Sequence, residues 1–167
     1  HSPEDPEAFG TAVHNLLEWA VYNRESLPEP SRREAMAQKV LKDKYPGFEE
    51  EDLKRAVTML ERFRNSSVWS DLKHARAVYP EHPLTWSEND AVVRGTIDLV
   101  YATPDSWHIV DYKTDQIGEE SVLGSLEEHK YAGQIQQYAD AWERLTEEEV
   151  ASAFLWFAET GEIVVVS

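Results

Sequence analysis

The stretch GTIDLVYATPDSWHIVDYKTD, residues 95–115, decides how the rest of the chain is read. Two runs rich in Val, Ile, Trp and Tyr, at 91–102 and 107–113, flank the turn-forming TPDS at 103–106, which predicts an antiparallel hairpin. Successive side chains of a strand point to opposite faces, so Ile109, Asp111 and Lys113 share one face while Val110 and Tyr112 share the other. An acid and an ammonium therefore stand on an otherwise apolar strand, and Asp98 stands among Val93, Ile97, Leu99 and Val100 on its neighbour. Charges on strands this apolar need compensation if they are buried.

A divalent cation would supply it. Mg²⁺ or Mn²⁺ prefers carboxylate oxygens and keeps several waters, and Asp98 and Asp111 on adjacent strands could hold one with positions left open for a phosphate. Lys113 would face the metal's water and could orient it. The plainer alternative is a structural ion pair between Asp111 and Lys113, with Asp98 at a strand end.

Working outward, residues 6–22 carry apolar side chains at 13, 16, 17, 20 and 21, the spacing of a helix with one buried face. LPEP at 27–30 ends it. A second helix is expected over 31–44 with Ser31 as N-cap, and a third over 49–64 with Leu53, Ala56, Val57, Leu60 and Phe63 on one face. After a short helix near 67–74, strands are expected at 75–79, 83–86, 91–102 and 107–113. A helix over 127–145 follows, with Tyr131, Ile135, Tyr138, Trp142 and Leu145 on one stripe, and then a hairpin formed by 150–158 and 162–166. The sum is a mixed α/β fold around a central sheet, preceded by a helical region.

Composition narrows the chemistry. The chain has 167 residues, no cysteine and a formal net charge of −16. Disulfide scaffolds, Cys-based zinc sites, iron–sulfur clusters and thiol nucleophiles are excluded, so a metal must be held by oxygen and nitrogen. No run is long and apolar enough to span a bilayer, which predicts a protein without a membrane partner. The chain opens on His1, and HSPEDPE reads as a linker, so the expectation is one domain, 1–167, cut from something larger.

Four motifs occur in order: GTAVH (10–14), GTIDLVY (95–101), WHIVDYKTD (107–115) and YAGQIQQY (131–138). Asp98 followed by Asp111-Tyr112-Lys113 resembles the D…(D/E)-x-K signature of the PD-(D/E)xK nuclease superfamily, with Ile97 in place of the Pro. The full set resembles the nuclease domain at the C-terminal end of RecB and AddA helicase–nucleases. That resemblance implies a restriction-endonuclease-like fold and a Mg²⁺- or Mn²⁺-dependent nuclease, with His14, Asp98, Asp111 and the backbone carbonyl of Tyr112 as metal ligands and Lys113 as the catalytic lysine. Gln134 and Tyr138 match the family's Q-x-x-x-Y and would brace the site or touch the DNA backbone. Gly10 would let its helix approach the sheet. Glu81 and Glu18 would support the ligands, and Thr114 and Asp115 would orient the loop after the lysine.

The reaction implied is metal-assisted hydrolysis of a phosphodiester, most simply exonucleolytic, leaving 5′-phosphate and 3′-hydroxyl ends. The implied partners are linear DNA, single- or double-stranded, and a covalently linked or associated helicase core, in the cytoplasm of a prokaryote. Cysteine-bearing iron–sulfur relatives are excluded. Two rivals stay open: a nuclease-like module that no longer cuts and serves in DNA or protein contacts, and a non-nuclease metalloenzyme such as a phosphatase. Residues 31–76 carry a local net charge of +3 and the remainder −19, so a mildly basic helical region is a candidate DNA-facing surface on a chain that should bind DNA weakly alone.

Overall fold

The computed structural model describes residues 6–114 and 126–166, with side chains of the second segment described from residue 130. Asp115 lies outside the described residues. Helix α1 (Pro6–Tyr22) buries Val13, Leu16, Leu17, Ala20 and Val21, the face its spacing predicts. Helix α2 (Pro30–Lys44) differs from expectation at its start: Glu29, not Ser31, is the N-cap. Pro30 takes the first helical position, where its missing N–H removes no helical bond, and the Ser31 hydroxyl turns back to Glu29 at 3.3 Å. Helix α3 (Glu50–Arg64) buries the predicted Leu53, Ala56, Val57, Leu60 and Phe63. Its buried Asp52 is satisfied by the backbone N–H of Glu49 at 3.2 Å. Helix α4 (Ser67–Leu72) is capped by Ser66.

The rest of the described chain builds a five-stranded sheet in sequence order, β1 (Ala77–Glu88), β2 (Ala91–Ala102), β3 (Trp107–Lys113), β4 (Val150–Phe157) and β5 (Ile163–Val165). All neighbours are antiparallel except β3 and β4, which are parallel and joined across helix α5 (Leu126–Thr146). The strands expected at 75–79 and 83–86 are one strand. Pro80 and Pro83 are accommodated because β1 is an edge strand, where a missing N–H removes no ladder bond on the open side.

The sheet separates two apolar cores. On one side Leu99, Tyr101, Val110, Tyr112 and Trp156 pack against α1, α3 and α4; on the other Ile109, Ala153 and Leu155 pack against Ile135, Ala139 and Trp142 of α5. The alternation expected along β3 is thus observed. The α5 stripe holds at Ile135, Tyr138 and Trp142 but ends there: Leu145 is 63% exposed in the final turn, and Ala141 is buried instead. Among the described residues no helix is long and apolar enough to cross a membrane.

Candidate active site

Two interruptions of the sheet ladder meet at one residue. Between β1 and β2 the pairing passes from Pro80–Leu99 to His82–Ile97, leaving Glu81 and Asp98 as the unpaired step between them. Glu81 has φ 48°, in the left-handed region, which turns the β1 backbone out of the regular ladder at this step. Between β2 and β3 the pairing ends at Leu99–Val110, one step short of Asp98 and Asp111. The Tyr112 N–H donates instead to Asp98 Oδ2 at 2.7 Å, so a carboxylate stands in for a strand carbonyl where the sheet opens.

Side chains from both faces converge on that opening. From α1, His14 Nδ1 lies 3.2 Å from Asp98 Oδ1 and 3.8 Å from Glu81 Oε1. Its Nε2 faces the Tyr112 carbonyl at 3.2 Å, and a carbonyl only accepts, so the ring donates there. The Tyr112 oxygen expected as a metal ligand is thus engaged by His14 as placed. The Tyr112 ring meets His14 edge-on at 5.6 Å and is itself wedged against Phe63. Ligand atoms of His14, Glu81 and Asp98 all lie within 4.8 Å of one another. From β3, Asp111 hydrogen-bonds with Asp98, and Lys113 Nζ stands 2.9 Å from Asp111 Oδ2. The Lys113 ammonium is thus the counter-charge that the chain sets against Asp111 Oδ2, an oxygen otherwise shut away from solvent.

The electrostatics follow from this crowding. Burial, reinforced by Asp98, pushes Asp111 up to about 8, with Lys113 pulling the other way. Burial and the Asp98 charge push Glu81 up to about 7. Burial opposes ionisation of Asp98 too, but hydrogen bonds from His14 and Asp111, the His14 charge and the Tyr112 N–H outweigh it and hold Asp98 below the ordinary carboxylate range. Burial likewise opposes protonation of His14, yet Asp98, Glu81 and Asp111 together keep its pKa raised. The cluster therefore takes up protons where it lacks positive charge. One imidazole and three carboxylates, one of them with a buried oxygen, make an O/N donor set without sulfur, which fits Mg²⁺ or Mn²⁺. A cleft of about 610 Å³ lies beside the cluster, lined by Glu7, Gly10, Thr11, His14, Glu18, Glu81 and Thr114 among others.

Other residues singled out from sequence fall into place differently. A Cβ at Gly10 would lie 2.9 Å from Thr114 Oγ1, so the glycine lets α1 close on the residue after Lys113. A Cβ at Gly95 would lie 2.7 Å from the Tyr138 ring, so Tyr138 packs on the backbone of β2. Burial, with Asp111 and Asp98 adding, raises the Tyr138 phenol. Gln134 is exposed, so it does not brace the opening from within as Tyr138 does. Glu18 lines the cleft and acts on Glu81 through its charge. The expected basic surface is partly consumed internally: Arg33 is buried against Glu61, Arg55 pairs with Glu159, and Arg62 donates to the Ala158 carbonyl. Glu81 sits closer to the cluster than a supporting role requires, and its signal in the sequence is the acid between Pro80 and Pro83, where an edge strand can bend. Tyr131 places its ring face 3.7 Å from Lys113 Nζ, a contact that its place in an apolar stripe did not suggest.

The chain is 33% identical over 114 residues to an ATP-dependent helicase/nuclease protein of Carboxydothermus hydrogenoformans, covering 60% of this chain and 10% of that protein. It is 25% identical over 168 residues to the Oceanobacillus iheyensis protein of the same name, covering 91% of this chain and 13% of that protein. It thus spans about a tenth of the length of the curated relatives it matches. A solved exonuclease candidate from Eubacterium rectale superimposes over 100% of this chain and 61% of its own, with a TM-score of 0.57 at 15% identity, a likeness of fold. The family model of the PD-(D/E)XK nuclease superfamily matches residues 1–165, and the chain belongs to that superfamily.

Proposed function

We propose that this chain is a metal-dependent deoxyribonuclease that hydrolyses phosphodiester bonds at the ends of linear DNA, and that it serves as the nuclease portion of an AddA- or RecB-like helicase–nuclease acting in DNA end processing and recombinational repair. The observation that carries the proposal is the gathering of His14, Glu81, Asp98 and Asp111 around an opening in the sheet, with Lys113 at its edge.

His14, Glu81, Asp98 and Asp111 would hold Mg²⁺ or Mn²⁺. When bound, the ion supplies Lewis acidity and lowers the pKa of a coordinated water. Lys113 brings a second positive charge to the same edge, where it offsets the negative charge that develops on phosphate oxygens during hydrolysis. Asp98 fixes the β3 backbone through Tyr112, and its other oxygen, beside His14 Nδ1, would be the one to hold the ion. Tyr138, held against Gly95, braces the α5 side of the opening, and the exposed Gln134 is free to meet the DNA backbone. Holding Glu81 and Asp111 beside Asp98, where burial and like charge raise both, costs stability that a module without catalysis has no need to bear.

The test is incubation of the chain with linear single- and double-stranded DNA in Mg²⁺, Mn²⁺ or EDTA. Metal-dependent shortening to 5′-phosphorylated products is expected, abolished in Lys113→Ala. Full activity of that variant, or preferential hydrolysis of small phosphate monoesters, would overturn the proposal.

A further inference from the structure

The Lys113 ammonium has two neighbours of different chemistry: Asp111 Oδ2 at 2.9 Å and the face of the Tyr131 ring at 3.7 Å. Asp111 is also one of the groups that would bind the metal in the nuclease reading, on which this inference rests. An ion drawing on Asp111 neutralises part of the carboxylate charge and repels the ammonium, so the ion pair alone would release Lys113 when its charge is needed. The ring is not subject to that competition. Its quadrupole attracts a cation through the π-face, and the attraction is strengthened because the Lys113 side chain is only 14% exposed and little screened by water.

We propose that Tyr131 is a positioning residue for Lys113, its ring face keeping the ammonium in the site while Asp111 engages the metal. The interaction uses the ring face, so phenylalanine should replace tyrosine. Leucine should not, although it preserves apolar packing against the α5-side core on which Tyr131 rests.

The test compares the full chain with Tyr131→Phe, Tyr131→Leu and Lys113→Ala, with Mg²⁺ as the ion. Tyr131→Leu should lower kcat on linear DNA by about tenfold with KM changed by less than about twofold, and Tyr131→Phe should restore it. Independently of activity, the Lys113 ε-methylene protons should show an upfield ring-current shift in the native chain and in Tyr131→Phe, both before and after saturation with Mg²⁺, and none in Tyr131→Leu. Native kcat in Tyr131→Leu together with loss of cleavage in Lys113→Ala would overturn the role of Tyr131 and leave the nuclease reading standing. So would disappearance of the upfield shift on adding Mg²⁺. Equal cleavage by the native chain and Lys113→Ala, or none by either, would overturn the nuclease reading and this proposal with it.

Discussion

Arg33 in the helical layer and Asp111 in the sheet are both buried charged groups, at 3% and 8% exposure, and their surroundings are opposite in kind. The Arg33 guanidinium donates to both oxygens of Glu61 at 2.7 and 2.6 Å and to the Pro28 carbonyl at 2.8 Å. The hydrogen bonds to Glu61 outweigh burial and raise its pKa further. Asp111 lies against another carboxylate and, although Lys113 stands 2.9 Å from its Oδ2, is pushed up to about 8 by burial and Asp98. The first charge is fully compensated by the chain; the second stays raised despite Lys113 beside it, and a bound cation would complete its compensation. Burial of charge does not by itself mark a site; incomplete compensation of buried charge does.

Substituting each residue sharpens that contrast. The largest expected effect is on activity: Asp111→Asn should lower the cleavage rate by about 10²–10³-fold, while thermal unfolding in EDTA above about pH 8, where Asp111 is ionised against Asp98, stays at or above the native midpoint because that like-charge contact is relieved. Native activity in this variant would erase the distinction between the two regions. Arg33→Met should do the reverse, costing on the order of 3 kcal/mol in urea unfolding because Glu61 loses its partner, with the cleavage rate per folded molecule unchanged. Next in size, Mg²⁺ or Mn²⁺ at a hundredfold excess over its Kd should stabilise the native chain by about 2.7 kcal/mol and Asp98→Asn far less; equal stabilisation of both would place ion binding elsewhere.

The smallest effect is on pH dependence without divalent ions. Glu81 and Asp111 titrate higher in the folded chain than the ordinary 4.5 and 3.8, at about 7 and about 8, so the folded state holds extra protons between these limits. Their contribution to stability is complete below about pH 4 and is lost as pH rises toward 8. Asp111→Asn should flatten the upper part of that decline in a series of unfolding curves taken in EDTA, whereas Arg33→Met should leave its slope as it was.

Much of this was legible in the residues. The spacing of Val13, Leu16, Leu17, Ala20 and Val21 specified the buried face of α1, and TPDS specified the turn between β2 and β3, because both depend on neighbours a few positions away. His14, Asp98, Asp111 and Lys113 were candidates from their motifs. The joining of two expected strands into β1 was not legible, since Pro80 and Pro83 oppose a strand until it is known to be an edge. Neither was the solvent position of Gln134 or Leu145, because helical spacing assigns a stripe without saying how far the sheet beneath it extends.

By itself, the sequence determined the element types, the alternation that puts Asp111 and Lys113 opposite Tyr112, the absence of thiol ligands and the order of the motifs. These follow from periods of 2 and 3.6 residues and from side-chain chemistry, which are local properties. Only the tertiary structure decided which charges are completed. Arg33 meets Glu61, His14 meets Asp98 and Glu81, and Tyr131 meets Lys113 across separations that no local pattern encodes. The opening that gathers the carboxylates exists because Asp98 takes the Tyr112 N–H out of the ladder, a competition between a side chain and a strand that is settled only when both strands are in place.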